Sequence, residues 1–406
     1  MTAALAGIRV IDRSGPEGNY CGKLFAELGA DVILIEPPGG TALRGEPPFV
    51  AGRDGDPEAS LRFVAYNTSK RSMALDLGQP AGQEILRDLA STADLLIETD
   101  PPGRAAARGI GYTDLARHNE RLVVTSITPF GQDGPYSGYP ADDLTCLAFG
   151  GLLSLGGYDD GPPVQAAGQQ AYAAASVFAA VASMLALLQA EASGQGQHVD
   201  VSVQECVVMG LETAIQAYDL EGRVRGRTGG STRRAGQGIF PCRDGHVFLL
   251  ASGLGEQFWV GLLDWLDDEG TPGLEAFRGD AWTQPSYLET DEAKDAFSAV
   301  FLPFCQQRAK AELYRQAQKW RVPLCPVNTP GDVVSSAQLA GRQFFVEHPL
   351  PHGGTALMPG APYRLSLTPW QMTRPAPLLR QHTGEVLREL GYTGERIAAL
   401  RRMGAI

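Results

Sequence analysis

The chain has 406 residues, 44 % hydrophobic and 20 % charged. That is ordinary composition for a soluble globular protein, with enough material for two domains and a large core. A net charge of −12 argues against a general nucleic-acid binder, which needs a basic face for phosphates, yet leaves room for a local basic pocket. Cys21, Cys146, Cys206, Cys242, Cys305 and Cys325 contain no CxxC pair, and the six histidines show no metal spacing. No metal site is expected, and the cysteines read as reduced, buried thiols of a cytoplasmic protein. The N-terminal MTAALAGIRVIDRS lacks a basic-then-apolar signal pattern.

In chain order, GIRVID (7–12) is a short apolar strand. Tyr20 to Leu28 has helical periodicity, Gly29 ends it, and DVILIE (31–36) is a second strand. Strand, helix and strand at this spacing make a βαβ unit, so an α/β fold with a parallel sheet is expected. Pro37, Pro38, Gly39 and Gly40 break the chain, and 41–62 has no clear period; a long loop over a ligand edge is expected there. SMALDL (72–77), DLLIE (94–98) and RLVVTSI (121–127) are further strands, with a helix from Ala81 to Ala90.

The longest apolar stretch, Ala171 to Leu188, is alanine-rich and carries Ser176 and Ser183, which marks a core helix rather than a membrane span. It runs into a Gly194-Gln195-Gly196-Gln197 turn and the strand VDVSV (199–203). Residues 222–238 hold six glycines and five arginines, a basic linker or crossover loop. HVFLLAS (246–252) opens a second unit with helical segments at 256–266, 292–301 and 309–319. The tail from His382 holds two short amphipathic helices.

Several of these segments resemble the class III CoA-transferases, the group of formyl-CoA transferase, carnitine-CoA transferase and α-methylacyl-CoA racemase. They are LAGIRVID with LFAELGADVILIEPPGG, YNTSKRSMALDL, SITPFGQDGPYSGYPADD, GQGQHVDVSVQE and HTGEVLRELGY, in the family's order and over nearly the whole chain. The resemblance implies a Rossmann-like large domain built from both chain ends, 1–220 and 330–406. It also implies a smaller inserted domain, 221–329, and a dimer of interlocked rings. No prosthetic group is implied; acyl-CoA and a carboxylic acid are the substrates.

In the family the alanine-rich helix opens with an Asp whose carboxylate attacks the acyl-CoA thioester. That attack gives a mixed anhydride and free CoA thiolate; the thiolate then forms an enzyme thioester, which the acceptor acid opens. Counting back from Gly194 reaches Tyr172 or its neighbour Ala171, and no Asp or Glu lies between Val164 and Gln189. A phenol titrating near about 10 cannot follow the same anhydride chemistry. Tyr172 therefore holds the nucleophile's position without its function, and a packing role is the plainer alternative. Asp143, at the end of the Gly131–Asp143 loop, matches an Asp that shapes the racemase site. Asp142 and Asp143 together equally suit a turn and helix cap, and the racemase His has no counterpart here.

For CoA, the resemblance points to Asn67, Lys70 and Arg71, a lysine point charge and an arginine fork suited to phosphates, or else a solvated strand entrance. Arg104 and Arg108, after a strand end, are further CoA candidates. Thr99 and Asp100 stand where the family has Asn-Phe, and Pro37 and Pro38 where many members have an arginine.

Four functions remain open at this point, the fourth being a racemase or isomerase. The first is a transferase subunit without its own nucleophile, paired with a homologous chain in a succinyl-CoA:benzylsuccinate CoA-transferase type heteromer. The second is a self-sufficient homodimeric CoA-transferase with a non-standard nucleophile. The third is a non-enzymatic acyl-CoA binding protein.

Overall fold

The computed structural model describes residues 3–227, 229 and 233–406. Contacts divide the chain into two units. The first comprises the chain up to Leu153, Gln165–Val224 and Ala340–Ile406; the second comprises Ser154–Val164 and Arg225–Leu339. The Ser154–Val164 excursion into the second unit has no signature in the sequence pattern.

The first unit is built on six parallel strands: β1 (Arg9–Arg13), β2 (Asp31–Glu36), β3 (Arg71–Ala74), β4 (Leu95–Glu98), β5 (Val123–Thr128) and β6 (His198–Ser202). Their order is β3-β2-β1-β4-β5-β6. This is the order of doubly wound dinucleotide-binding sheets, whose ligands sit beyond the carboxyl ends of the strands where the order reverses. The strands read as apolar runs because both faces are covered: β3, β4 and β5 are buried throughout.

The helices of this unit are α1 (Asn19–Glu27), α2 (Leu61–Asn67), α3 (Pro80–Ala90), α4 (Arg104–Ala107), α5 (Tyr112–Ala116), α6 (Asp143–Phe149), α7 (Gln170–Ser193), α8 (Val203–Val208) and α9 (Ala214–Glu221). The expected loop over 41–62 contains a short 3-10 turn, Ala42–Gly45, before α2 begins.

Helix α7 packs through its small residues. Ala171, Ala175, Ala179, Ala186 and Ala190 are buried, and Ser183 shares a 2.7 Å hydrogen bond with Thr125 of β5. Small side chains let a helix approach the sheet closely, so alanine richness here is a packing device. By length and composition α7 could cross a membrane, yet its alanine face is inside the protein core. Its other face leaves Val177, Phe178, Val181, Leu185 and Leu188 exposed.

The C-terminal helices, Thr383–Glu389 and Gly394–Arg402, close the core on the side of β3, with Val386, Leu387, Ile397 and Leu400 buried. Arg71 holds them by a fork to Asp31 (2.7 Å) and Glu389 (2.7 Å).

In the second unit, β7 (Gln237–Cys242), β8 (Gly245–Leu250) and β9 (Leu324–Val327) form an antiparallel sheet. It is covered by α10 (Glu256–Asp268) and the helices Asp291–Gln306 and Lys310–Lys319 around an aromatic core. Part of the basic 222–238 segment, residues 228 and 230–232, lies outside the described residues. All six cysteines are free; four are buried, Cys242 is half-buried and Cys325 is exposed, which corrects the expectation that all are buried.

Candidate active site

Two regions of the first unit carry the residues singled out by sequence. One is a cavity of about 880 Å³ at the start of α7, lined in part by Tyr172, Gln169, Asp142, Asp143, Glu46 and Arg62. The fold thus brings Tyr172 and Asp143 together. Tyr172 is 7 % exposed, and its backbone N–H donates to Asp143 Oδ1 at 3.0 Å.

The two adjacent aspartates have separate tasks. Asp142 is the N-cap of α6: its Oδ1 accepts from the Thr145 hydroxyl at 2.6 Å and from the Thr145 N–H at 2.8 Å, which together hold its carboxyl below the usual range. Asp143, the first residue of α6, turns inward. It is 5 % exposed, and its Oδ2 is buried without a hydrogen-bond partner among the described residues. Burial pushes its pKa up, against the opposing pull of the Tyr172 and Ala171 N–H groups at the start of α7. Burial also pushes the Tyr172 phenol up, and the nearby charge of Glu17 adds to the effect, so the phenol is further from ionising than a free tyrosine.

Glu17 has no signature in the sequence. It follows β1, and its carbonyl accepts the Ser176 hydroxyl of α7 at 2.9 Å. Its carboxyl is raised by burial and then by Glu46. Glu46 is ion-paired with Arg62. The cavity lining therefore holds three carboxylates, from Glu46, Asp142 and Asp143, against one guanidinium already paired.

The second region is a cleft of about 450 Å³ beyond the carboxyl ends of β1, β2 and β4, lined by Arg13, Pro37, Asp100, Arg104 and Arg108 among others. The side chains of Arg104 and Arg108 make no hydrogen bond or ion pair with a described residue. Asp100 is paired with Arg13, which also bonds Glu98 at 3.0 Å, so the extra carboxylate has a counter-charge. This is where the fold's geometry favours an anionic nucleotide group.

Asn67, Lys70 and Arg71 do not join that cleft. Lys70 is fully buried, and its ammonium donates to Asp12 Oδ2 (2.6 Å), Asn19 O (2.8 Å) and Asn67 Oδ1 (2.9 Å), which uses all three of its N–H bonds. Arg71 lies at the amino end of β3, opposite the cleft, and is engaged by Asp31, Glu385 and Glu389. The solvated-entrance alternative is also set aside, since these side chains are buried and paired. Ser126 sits between Glu98 and His198 Nε2 (2.9 Å), but serine rather than histidine is the middle member, unlike a nucleophilic triad.

The comparisons with known proteins agree with the fold. The family model for CoA-transferase family III matches residues 5–383. The chain belongs to this family. Among its relatives, the succinyl-CoA:(R)-benzylsuccinate CoA-transferase subunit BbsE of Thauera aromatica is 42 % identical, over 98 % of this chain and 97 % of that protein. The succinyl-CoA:mesaconate CoA-transferase of Haloarcula marismortui is 30 % identical over 96 % of each. A CAIB/BAIF family protein from Brucella suis, known from its crystal structure, superposes with a TM-score of 0.85 at 26 % identity, covering 96 % of this chain and 100 % of that one. Family membership supports a CoA-transferase acting on CoA thioesters.

Proposed function

We propose that this chain is the non-nucleophilic subunit of a cytoplasmic CoA-transferase and pairs with a homologous chain that supplies the helix-start carboxylate. The donor is a dicarboxylyl-CoA such as succinyl-CoA, and the acceptor is a carboxylic acid; the similarity to BbsE favours an aryl-substituted succinate. The observation that carries this reading is Tyr172: a buried phenol, driven away from ionisation, at the start of a helix with no acid before Gln189. The surplus of carboxylates around it also disfavours an anionic acyl group there. The exposed apolar stripe from Val177 to Leu188 on α7 supports a tightly associated partner, as in an interlocked dimer.

Native mass spectrometry of the protein purified from its own cells tests the pairing. A stable complex with a second chain of similar mass, carrying Asp where this chain has Tyr172, is the expected result; a homodimer overturns it.

One observation favours a second reading, a self-sufficient homodimer. The Asp143 Oδ2 is buried, unpartnered and part of the cavity lining, as a reacting carboxylate would be. Under that reading Asp143→Asn abolishes transfer by the purified chain.

A further inference from the structure

The second unit encloses a cavity of its own, about 440 Å³, which the transferase chemistry above does not use. That volume is in the range of small-molecule sites. Its walls are aromatic. Trp259 and Trp282 stack with ring centroids 5.6 Å apart and planes 14° apart, and Phe277 meets Trp282 at 4.5 Å and 60°. All three are almost entirely buried.

The polar lining is sparse and mostly committed. The Ser252 hydroxyl donates to the Ala235 carbonyl at 2.6 Å, and Arg278 reaches Asp267 at 3.5 Å. Arg234 is different. Its Nη2 donates to Glu289 Oε1 at 2.9 Å, but its Nε–H is buried with no acceptor among the described residues. A buried donor without an acceptor is costly, and an oxygen brought by a ligand would relieve it.

Two glycines keep this arrangement open. At Gly236, φ is +76° and a Cβ would come within 2.7 Å of Trp259 Cζ3; at Gly253, φ is +86° and a Cβ would come within 2.7 Å of Arg234 Nη1. A side chain at either position would strain the backbone and displace the ring or the guanidinium. Glu256 adds a negative charge to the lining, which disfavours a ligand with two carboxylates.

We infer that this cavity binds a small aromatic monocarboxylate, its ring against the Trp259–Trp282–Phe277 wall and one carboxylate oxygen accepting from Arg234 Nε–H. The site belongs to the second unit and is independent of which group serves as nucleophile in the first.

The test is a titration of the full-length protein with 3-phenylpropanoate, followed by calorimetry and by tryptophan fluorescence, beside the uncharged 3-phenylpropan-1-ol. Expected are saturable binding of the acid and binding of the alcohol weaker by about tenfold or more. A similar loss for the acid is expected in Arg234→Gln, the scale of a lost hydrogen bond to a charged group. Trp282→Phe, which removes part of the wall, is expected to weaken binding of the acid and to reduce the fluorescence change. No saturable binding, equal binding of acid and alcohol, or undiminished binding by Arg234→Gln each overturns the inference. The last would place the ligand elsewhere in the molecule. If Arg234→Gln does not fold, the acid-to-alcohol ratio of the natural protein and the Trp282→Phe signal decide between the same outcomes.

Discussion

Two sets of cations around the six-stranded sheet are held in opposite ways. At the amino end, Arg9 and Arg71 are tied to Asp31 and Glu389, while Lys70, just before β3, reaches across to Asp12 near the carboxyl end of β1 and is sealed inside with it. Beyond the carboxyl end, Arg104 and Arg108 line an open cleft without partners among the described residues. All of them are basic residues near strand termini. Of these, the buried and paired Lys70 and Arg71 should cost the fold most to lose, while Arg104 and Arg108 are free to meet a phosphate. Pairing rather than position along a strand therefore separates the two groups: Arg13 lines the same cleft as Arg104 and Arg108, yet is tied to Glu98 and Asp100.

The largest expected effect lies at Lys70. Lys70→Met leaves Asp12 buried and uncompensated, and should lower the free energy of unfolding by about 3–5 kcal/mol in urea titrations. A loss below about 1 kcal/mol would mean the pair contributes as little as an exposed one, and the contrast would fail. Next comes the cleft. Arg104→Gln with Arg108→Gln should weaken CoA binding by about tenfold or more, measured by calorimetry, while stability stays within about 0.5 kcal/mol. Unchanged CoA affinity would remove these arginines from the ligand site.

A smaller effect is expected in the cavity. The Asp143 carboxyl has a folded pKa above its unfolded value, because burial disfavours the charged form. Its favourable contribution is present below the unfolded value near about 4 and is lost as pH rises through the folded value. Asp143→Asn keeps an acceptor for the Tyr172 N–H and removes the buried charge. It should be more stable than the natural protein by about 1 kcal/mol at pH 7, with the difference shrinking on acidification. Thermal unfolding across pH measures this; a variant less stable at pH 7 contradicts the sign. Smallest of all, Tyr172→Phe should leave the transfer rate of the assembled enzyme unchanged within about twofold, because a packing phenol contributes no chemistry. A large loss would give Tyr172 a catalytic task.

Much of the fold was legible because its cause is local. The apolar runs that became β2 and β5 and the alanine-rich stretch that became α7 follow from burial on both faces and from small-residue packing. The site was less legible because its causes are remote in sequence. Lys70 and Arg71 look like phosphate ligands until Asp12, Asp31 and Glu389 are seen beside them. Asp142 and Asp143 look alike until α6 caps itself with the first and turns the second inward. Glu17 and Glu46 carry no motif; only their approach to α7 and to Arg62 reveals them. The excursion at Ser154–Val164 is invisible for the same reason, since only tertiary contacts assign it to the second unit.

The central claim is that this chain never carries the covalent intermediate. Its most direct test is intact-mass spectrometry after incubating the purified enzyme with succinyl-CoA and reducing any enzyme thioester with borohydride. The expected result is an unmodified mass for this chain and a modified partner. A modification on this chain, mapped to Asp143, Glu17 or Tyr172, would contradict the claim and identify the nucleophile.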